Sequence, residues 1–165
     1  MRREVFTDEH EHFRSEFRRF AESEIVPHLP EWNQCGRSDP AIWRKLGEAG
    51  YLGANAPAEY GGAGADFLFD AVVIEELADL RAHAVQMSLH SDICMPYLTH
   101  YGDTEQKEKF LTGAIDGSCL LAIAMTEPGA GSDLQGIKTT ALRDGDDLVI
   151  NGQKVFITNG QMADL

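Results

Sequence analysis

The apolar residues of this chain change their period once, close to Gly117, and that switch divides it into a helical stretch and a strand-forming stretch. Thr7 can cap a helix whose first turn carries Asp8 and Glu9, and Phe13, Phe17, Phe20 and Ile25 recur at near-helical spacing until Pro27 interrupts. Ser38-Asp39-Pro40 reads as a second start with proline in the first turn, and Gly50 as the stop for a face of Ile42, Trp43 and Leu46.

Small residues then dominate from Gly53 through Pro57 to Gly61, Gly62 and Gly64, predicting a loop that ends at Asp66. The long helix after it carries Phe67, Val72, Ile74, Leu77 and Leu80. Another helical stretch runs through Met87, Leu89, Ile93 and Leu98 to Gly102, with Pro96 expected to kink it or end its main segment. Asp103 and Gln106 are spaced as a capping box for a last short helix ending near Gly113. Beyond Gly117, Ser118 to Met125 reads as a buried strand and Ile137 to Arg143 as another. Asp144 to Asp147 reads as a turn, with Leu148 to Ile150, an Asn151-Gly152 hairpin signal and a strand over Lys154 to Thr158 completing the pattern. The class is α+β: an all-helical domain over 1–117, then the first strands of an antiparallel β domain over 118–165.

With 43% hydrophobic residues there is material for a packed core. Fourteen basic against 27 acidic residues, a net charge of −13, argue against nucleic-acid or anionic-membrane binding by general electrostatics. Cys35, Cys94 and Cys119 are odd in number and far apart, so neither a disulfide framework nor a metal knuckle is expected. No apolar run approaches the roughly 20 residues that span a bilayer, and Met-Arg-Arg-Glu-Val-Phe has no signal-peptide core. The expectation is a soluble cytoplasmic protein of bacterial type, or a mitochondrial-matrix protein for a processed form.

Chemistry concentrates in residues 123–133, Ile-Ala-Met-Thr-Glu-Pro-Gly-Ala-Gly-Ser-Asp, where an apolar strand runs into a glycine and hydroxyl turn. Gly129 and Gly131 allow positive φ and a close approach of backbone amides to an anion, and the Thr126 and Ser132 hydroxyls can also donate. It is neither a Walker loop nor Gly-x-Gly-x-x-Gly.

Read together, Met-Thr-Glu-Pro-Gly-Ala-Gly-Ser-Asp at 125–133, Gly-Ile-Lys-Thr at 136–139 and Asn-Gly-Gln-Lys-Val-Phe-Ile-Thr-Asn-Gly at 151–160 resemble acyl-CoA dehydrogenases in order and spacing. The wording is most similar to that of the long-chain members. The resemblance spans all 165 residues, whereas family chains are more than twice as long, so it implies the front part of such an enzyme: an N-terminal helical bundle and the opening strands of the antiparallel β-barrel or sandwich domain, with the C-terminal helical bundle absent.

Carried over residue by residue, the resemblance implies that Ile123 to Ser132 lie along FAD. Met125 and Thr126 then offer backbone amides and a hydroxyl to the pyrimidine end of the flavin, where donors stabilise the charge that builds up when the ring accepts a hydride. Gly131 and Ser132 correspond to contacts with the pyrophosphate, Ser132 also to the pantetheine arm of the substrate. Phe156, Ile157 and Thr158 correspond to a segment against the flavin, with the Thr158 hydroxyl at N5. Many relatives carry tryptophan at the Phe156 position.

The implied reaction takes a fatty acyl-CoA to the trans-2-enoyl-CoA. A glutamate outside this chain removes the α proton, the β hydrogen leaves as hydride to FAD, and an electron-transfer flavoprotein accepts the electrons. A homotetramer is implied. A non-catalytic truncated paralogue acting as an interaction module is the alternative of a different class, and an acyl-CoA oxidase or related flavoenzyme the sibling one.

Other candidates have plainer readings. His83 and His90, seven apart on one helical face, could line an acyl pocket with Ser91 and Asp92, but a satisfied core histidine is the simpler expectation. His10 and His12 lack the spacing of a ligand pair, Tyr97 and Tyr101 should pack rather than react, and Glu75 and Glu76 should form a solvated face.

Overall fold

The computed structural model describes residues 4–165. Helix α1 (Asp8–Glu24) begins at Thr7, whose backbone N–H donates to His10 Nδ1 at 3.1 Å. A 3₁₀ turn over Val26–His28 absorbs Pro27 and leads into α2 (Leu29–Cys35), which apolar spacing alone did not announce; it buries Trp32 and ends at Gly36 with φ 72°. Next comes α3 (Pro40–Glu48), capped by Asp39, whose carboxylate accepts the Ala41 N–H at 2.8 Å. Its Trp43 indole donates to the buried Ser38 hydroxyl at 3.1 Å.

Helix α4 (Phe67–Asp79) starts at Asp66, which caps Leu68 and also meets His10 Nε2 at 3.3 Å. Side chains pair in step along α1 and α4: Phe13 with Phe69, Arg14 with Glu75 and Glu76, and Arg18 with Glu76 and Asp79. The two helices therefore run in the same direction. Glu75 and Glu76 do not form a solvated face. Glu76 is 4% exposed and holds Arg14 at 2.9 Å, because a buried carboxylate requires a cation beside it.

Pro96 does not end its helix. A π-helical turn over Leu89–Cys94, with the Met95 N–H reaching the His90 carbonyl, precedes α5 (Met95–Tyr101), and the wider turn lets the chain continue through the missing N–H. His83 lies in the turn before this run, so it does not share a helical face with His90. The Asp103–Gln106 capping box forms as expected, opening α6 (Thr104–Gln106), a second π turn (Lys107–Leu111) and α7 (Thr112–Ile115). Phe17, Ile25, Trp43, Leu46, Leu52, Met87, Met95, Leu111 and Leu121 fill the core between these helices. Among the described residues no helix is long and apolar enough to cross a membrane.

The β part is an antiparallel hairpin of β1 (Thr140–Asp144) and β2 (Asp147–Asn151), with Leu142 opposite Val149 and the turn at Gly145, φ 62°. Two expected strands are absent. Residues 118–125 form no assigned strand: the Ser118 and Cys119 amides turn back to the Gly113 carbonyl, Leu121 donates to His90, and Leu120 and Ala122 donate to Asp164 and Leu165. Asn151-Gly152 is not a hairpin turn either. The chain crosses Thr139 so closely that a Cβ at Gly152 would lie 2.1 Å from Oγ1, and Phe156 at φ 57° breaks any alternation over 154–158.

Candidate functional site

Glu127 is the centre of the glycine turn. Its backbone exchanges hydrogen bonds with Ala130 at 2.9 and 3.1 Å, closing the Pro128-Gly129 corner. The side chain, 7% exposed, accepts the Lys138 N–H at 2.7 Å and the Thr139 N–H at 3.0 Å, and pairs with Lys154 Nζ at 2.9 Å. Lys154 donates in turn to the Met125 carbonyl at 3.0 Å, and the Val155 N–H to the Thr126 carbonyl at 3.0 Å. All three sequence motifs thus meet at one carboxylate. The Thr139 side chain, then the Lys138 amide and the Lys154 ammonium, hold that carboxyl down at about 2, so it is anionic at any working pH.

This stitching places Thr126 against the 154–158 segment, bringing together the residues expected at the pyrimidine end of the flavin and at its N5. Thr126 and Thr158 are half-buried, Met125 is exposed, and Phe156 presents 93% of its surface in a left-handed backbone conformation. Gly131 and Ser132 are exposed beyond the turn, where a Cβ at Gly129 or Gly131 would meet nothing within 4 Å. Neither glycine has positive φ, so here they serve for openness, not for a left-handed turn. Ile123 and the Ile157-Thr158 pair line different cavities. Ile123 faces an apolar one of about 230 Å³ with Cys94, Tyr97, Leu98 and Leu121; Ile157 and Thr158 face one of about 350 Å³ with Arg37, His83, Gln86 and Asn159.

The donor set fits an anionic, acceptor-rich group such as a flavin. Among the described residues, the Met125 and Thr126 amides and the Thr126, Ser132 and Thr158 hydroxyls donate to no protein acceptor. Donors at the rim of an open turn are available to acceptors of a ligand as well as to water.

Residues 7–118 match the acyl-CoA dehydrogenase N-terminal domain, and residues 122–165 match the acyl-CoA dehydrogenase middle domain. The chain belongs to the acyl-CoA dehydrogenase family. Among curated relatives, the long-chain specific acyl-CoA dehydrogenase of mouse mitochondria is 49% identical over 163 residues, 99% of this chain and 38% of its own length. The crystal structure of acyl-CoA dehydrogenase from Geobacillus kaustophilus superposes with a TM-score of 0.94 at 46% identity, covering 98% of this chain and 42% of that one. An acyl-CoA dehydrogenase from Bacillus anthracis, solved in complex with FAD, gives a TM-score of 0.88 at 34% identity over 99% of this chain and 29% of that one. The chain therefore spans well under half the length of these relatives. Its relatives are oxidoreductases, and its helical domain followed by a two-stranded antiparallel sheet is the fold they share.

Elsewhere the plain readings hold or change in detail. His90 is fully buried and satisfied on both ring nitrogens. Tyr97 and Tyr101 lie with ring centroids 6.2 Å apart on the surface. Asp70 and Asp92 face one small cavity, with Asp70 Oδ2 and Asp92 Oδ1 shielded and without partners. Sequence reasoning passed over Glu127 and Lys154. The available signal was an acid inside an apolar-to-glycine corner and a lysine inside the third motif, two charges with no solvent-facing pattern of their own.

Proposed function

We propose that this chain supplies the helical domain, over 1–117, and the start of the β domain, over 118–165, of an FAD-dependent dehydrogenase acting on fatty acyl-CoA thioesters. The observation that carries the proposal is the Thr126–Val155 pairing, which sets the first and third motifs side by side with their donors free. Met125, Thr126, Gly131, Ser132, Phe156, Ile157 and Thr158 would hold FAD, with Ile123 behind them, and Ser132 would also meet the pantetheine arm. FAD would supply hydride acceptance. What this chain's residues would contribute is donors toward the electron-rich end of the ring, an aromatic face at Phe156 and a hydroxyl at Thr158.

The α-proton base, the electron-transfer flavoprotein that takes the electrons, and assembly as a homotetramer belong to the same proposal. The preference for long acyl chains rests on the 49% identity to the mouse long-chain protein. The test is anaerobic addition of palmitoyl-CoA to the FAD-loaded enzyme that carries the α-proton base together with residues 1–165. Bleaching of the oxidised flavin band with formation of the 2-enoyl thioester is expected. An unchanged spectrum with palmitoyl-CoA, butyryl-CoA and isovaleryl-CoA alike would refute the activity.

A further inference from the structure

The contacts of Lys154 single out one peptide unit. The Met125 carbonyl and the Thr126 N–H belong to the same planar peptide, and no cis bond occurs among the described residues, so the two groups point in opposite directions. Lys154 Nζ donates to that carbonyl at 3.0 Å. Fixing the oxygen from one side therefore fixes the N–H on the other. The next carbonyl, that of Thr126, is held by the Val155 N–H, so both flanks of the Thr126 amide are tied to the third motif.

Lys154 is itself held. Its ammonium lies 2.9 Å from Glu127, whose carboxylate also accepts the Lys138 and Thr139 amides, and whose residue is 7% exposed. A flexible lysine stem that would otherwise sample many rotamers is confined to one position over the Met125 carbonyl. An ammonium on a carbonyl oxygen also polarises the peptide and makes its N–H a stronger donor.

We propose that Lys154, clamped by Glu127, is a positioning residue that orients and strengthens the Thr126 amide as a donor to bound flavin. The inference rests on the flavin assignment made above and deepens it. It joins the glutamate in the glycine turn and the lysine of the third motif in one chain of support. Glu127 holds Lys154, Lys154 holds the Met125–Thr126 peptide, and that peptide presents its N–H. Neither side chain touches the cofactor under this assignment, and no proton or electron passes through them.

The test uses the purified protein with Lys154→Met, Lys154→Arg and Glu127→Gln variants, read by the backbone amide resonance of Thr126, by FAD titration and by the absorption spectrum of bound flavin. The Thr126 resonance is expected to shift upfield in Lys154→Met without FAD, as the donor weakens. FAD should bind about tenfold more weakly, with a displaced flavin band, and Lys154→Arg should restore much of both. Glu127→Gln should shift the same resonance in the same direction, and a thermal unfolding scan of each variant separates loss of fold from loss of aim. If the wild type takes up FAD while Lys154→Met binds it with the same affinity and spectrum, the positioning role is overturned and the flavin assignment stands. If the wild type takes up no FAD, the flavin assignment fails, and this proposal with it.

Discussion

His90 ties α7 to the segment that leads into the glycine turn: its Nε2 lies 3.0 Å from the Ala114 carbonyl and its Nδ1 3.1 Å from the Leu121 amide nitrogen. An amide N–H can only donate, so Nδ1 accepts and Nε2 carries the hydrogen, which fixes the ring as one neutral tautomer.

Burial pushes the His90 imidazole down to about 4, the Ala114 bond opposing it only in part. The unfolded chain then binds a proton that the folded chain refuses, so stability contributed by His90 is present above about 6.5 and is lost as pH falls towards 4. The full effect is on the order of 3 kcal/mol. Urea unfolding from pH 7 to pH 4 is expected to show this decline in the wild type. His90→Ala should cost about 3 kcal/mol at pH 7 and lose that part of the pH dependence.

Asp70 and Asp92 have the opposite sign. Burial, then the charge of Asp66, raises Asp70 to about 6; burial, then the charge of Asp70, raises Asp92 to about 7. Their folded forms hold protons that the unfolded chain releases near pH 4, so stability falls as pH rises through 6 and 7. Asp92→Asn is expected to raise the unfolding midpoint at pH 8 and to flatten the slope between about pH 4 and pH 7. A variant with the wild-type slope would remove the pair as its cause.

Glu76 is the buried anion between Arg14 and Arg18. Glu76→Ala removes the carboxylate shared by both arginines, which keep Glu75 and Asp79, and is expected to cost about 2 kcal/mol in chemical denaturation. The exposed Glu16–Arg19 pair on the same helix is expected to contribute under about 1 kcal/mol when Glu16→Ala is measured alongside it.

Gly117 closes the helical part at φ 76°, and a Cβ there would sit 2.0 Å from the Trp43 carbonyl oxygen. Gly117→Ala is therefore expected to lose about 3 kcal/mol or more, whereas Gly36→Ala, with positive φ but open space around it, should lose about 1 kcal/mol. Thermal unfolding of the two variants side by side separates backbone strain from collision.

What could be read from the sequence was what is locally encoded. Thr7, Asp39, Asp66 and the Asp103–Gln106 box announce helix starts because caps act within a few residues, and each is found at its place. Pro96 marked the change of segment from the π turn over Leu89–Cys94 to α5, but not that the run continues helical across it, which depends on packing around that turn. Glu76 looked like a surface charge and Glu127 drew no reading, because their partners lie 62 and 11 or more residues away. The strands expected at 118–125 and 154–158 have strand composition, but their hydrogen bonds go to His90, Asp164 and Thr126 in place of a ladder. The motif resemblance supplied the family and the residues proposed to meet flavin. It did not supply the clamp that brings those residues together.

Equilibrium titration of the purified protein with FAD, followed by flavin fluorescence, tests the central claim most directly when Thr126→Val and Thr158→Val are run beside the wild type. Saturable uptake by the wild type, weakened in both variants with no change in their unfolding midpoints, is the predicted result. No uptake, or equal uptake by all three, would contradict a flavin site built from Thr126 and Thr158.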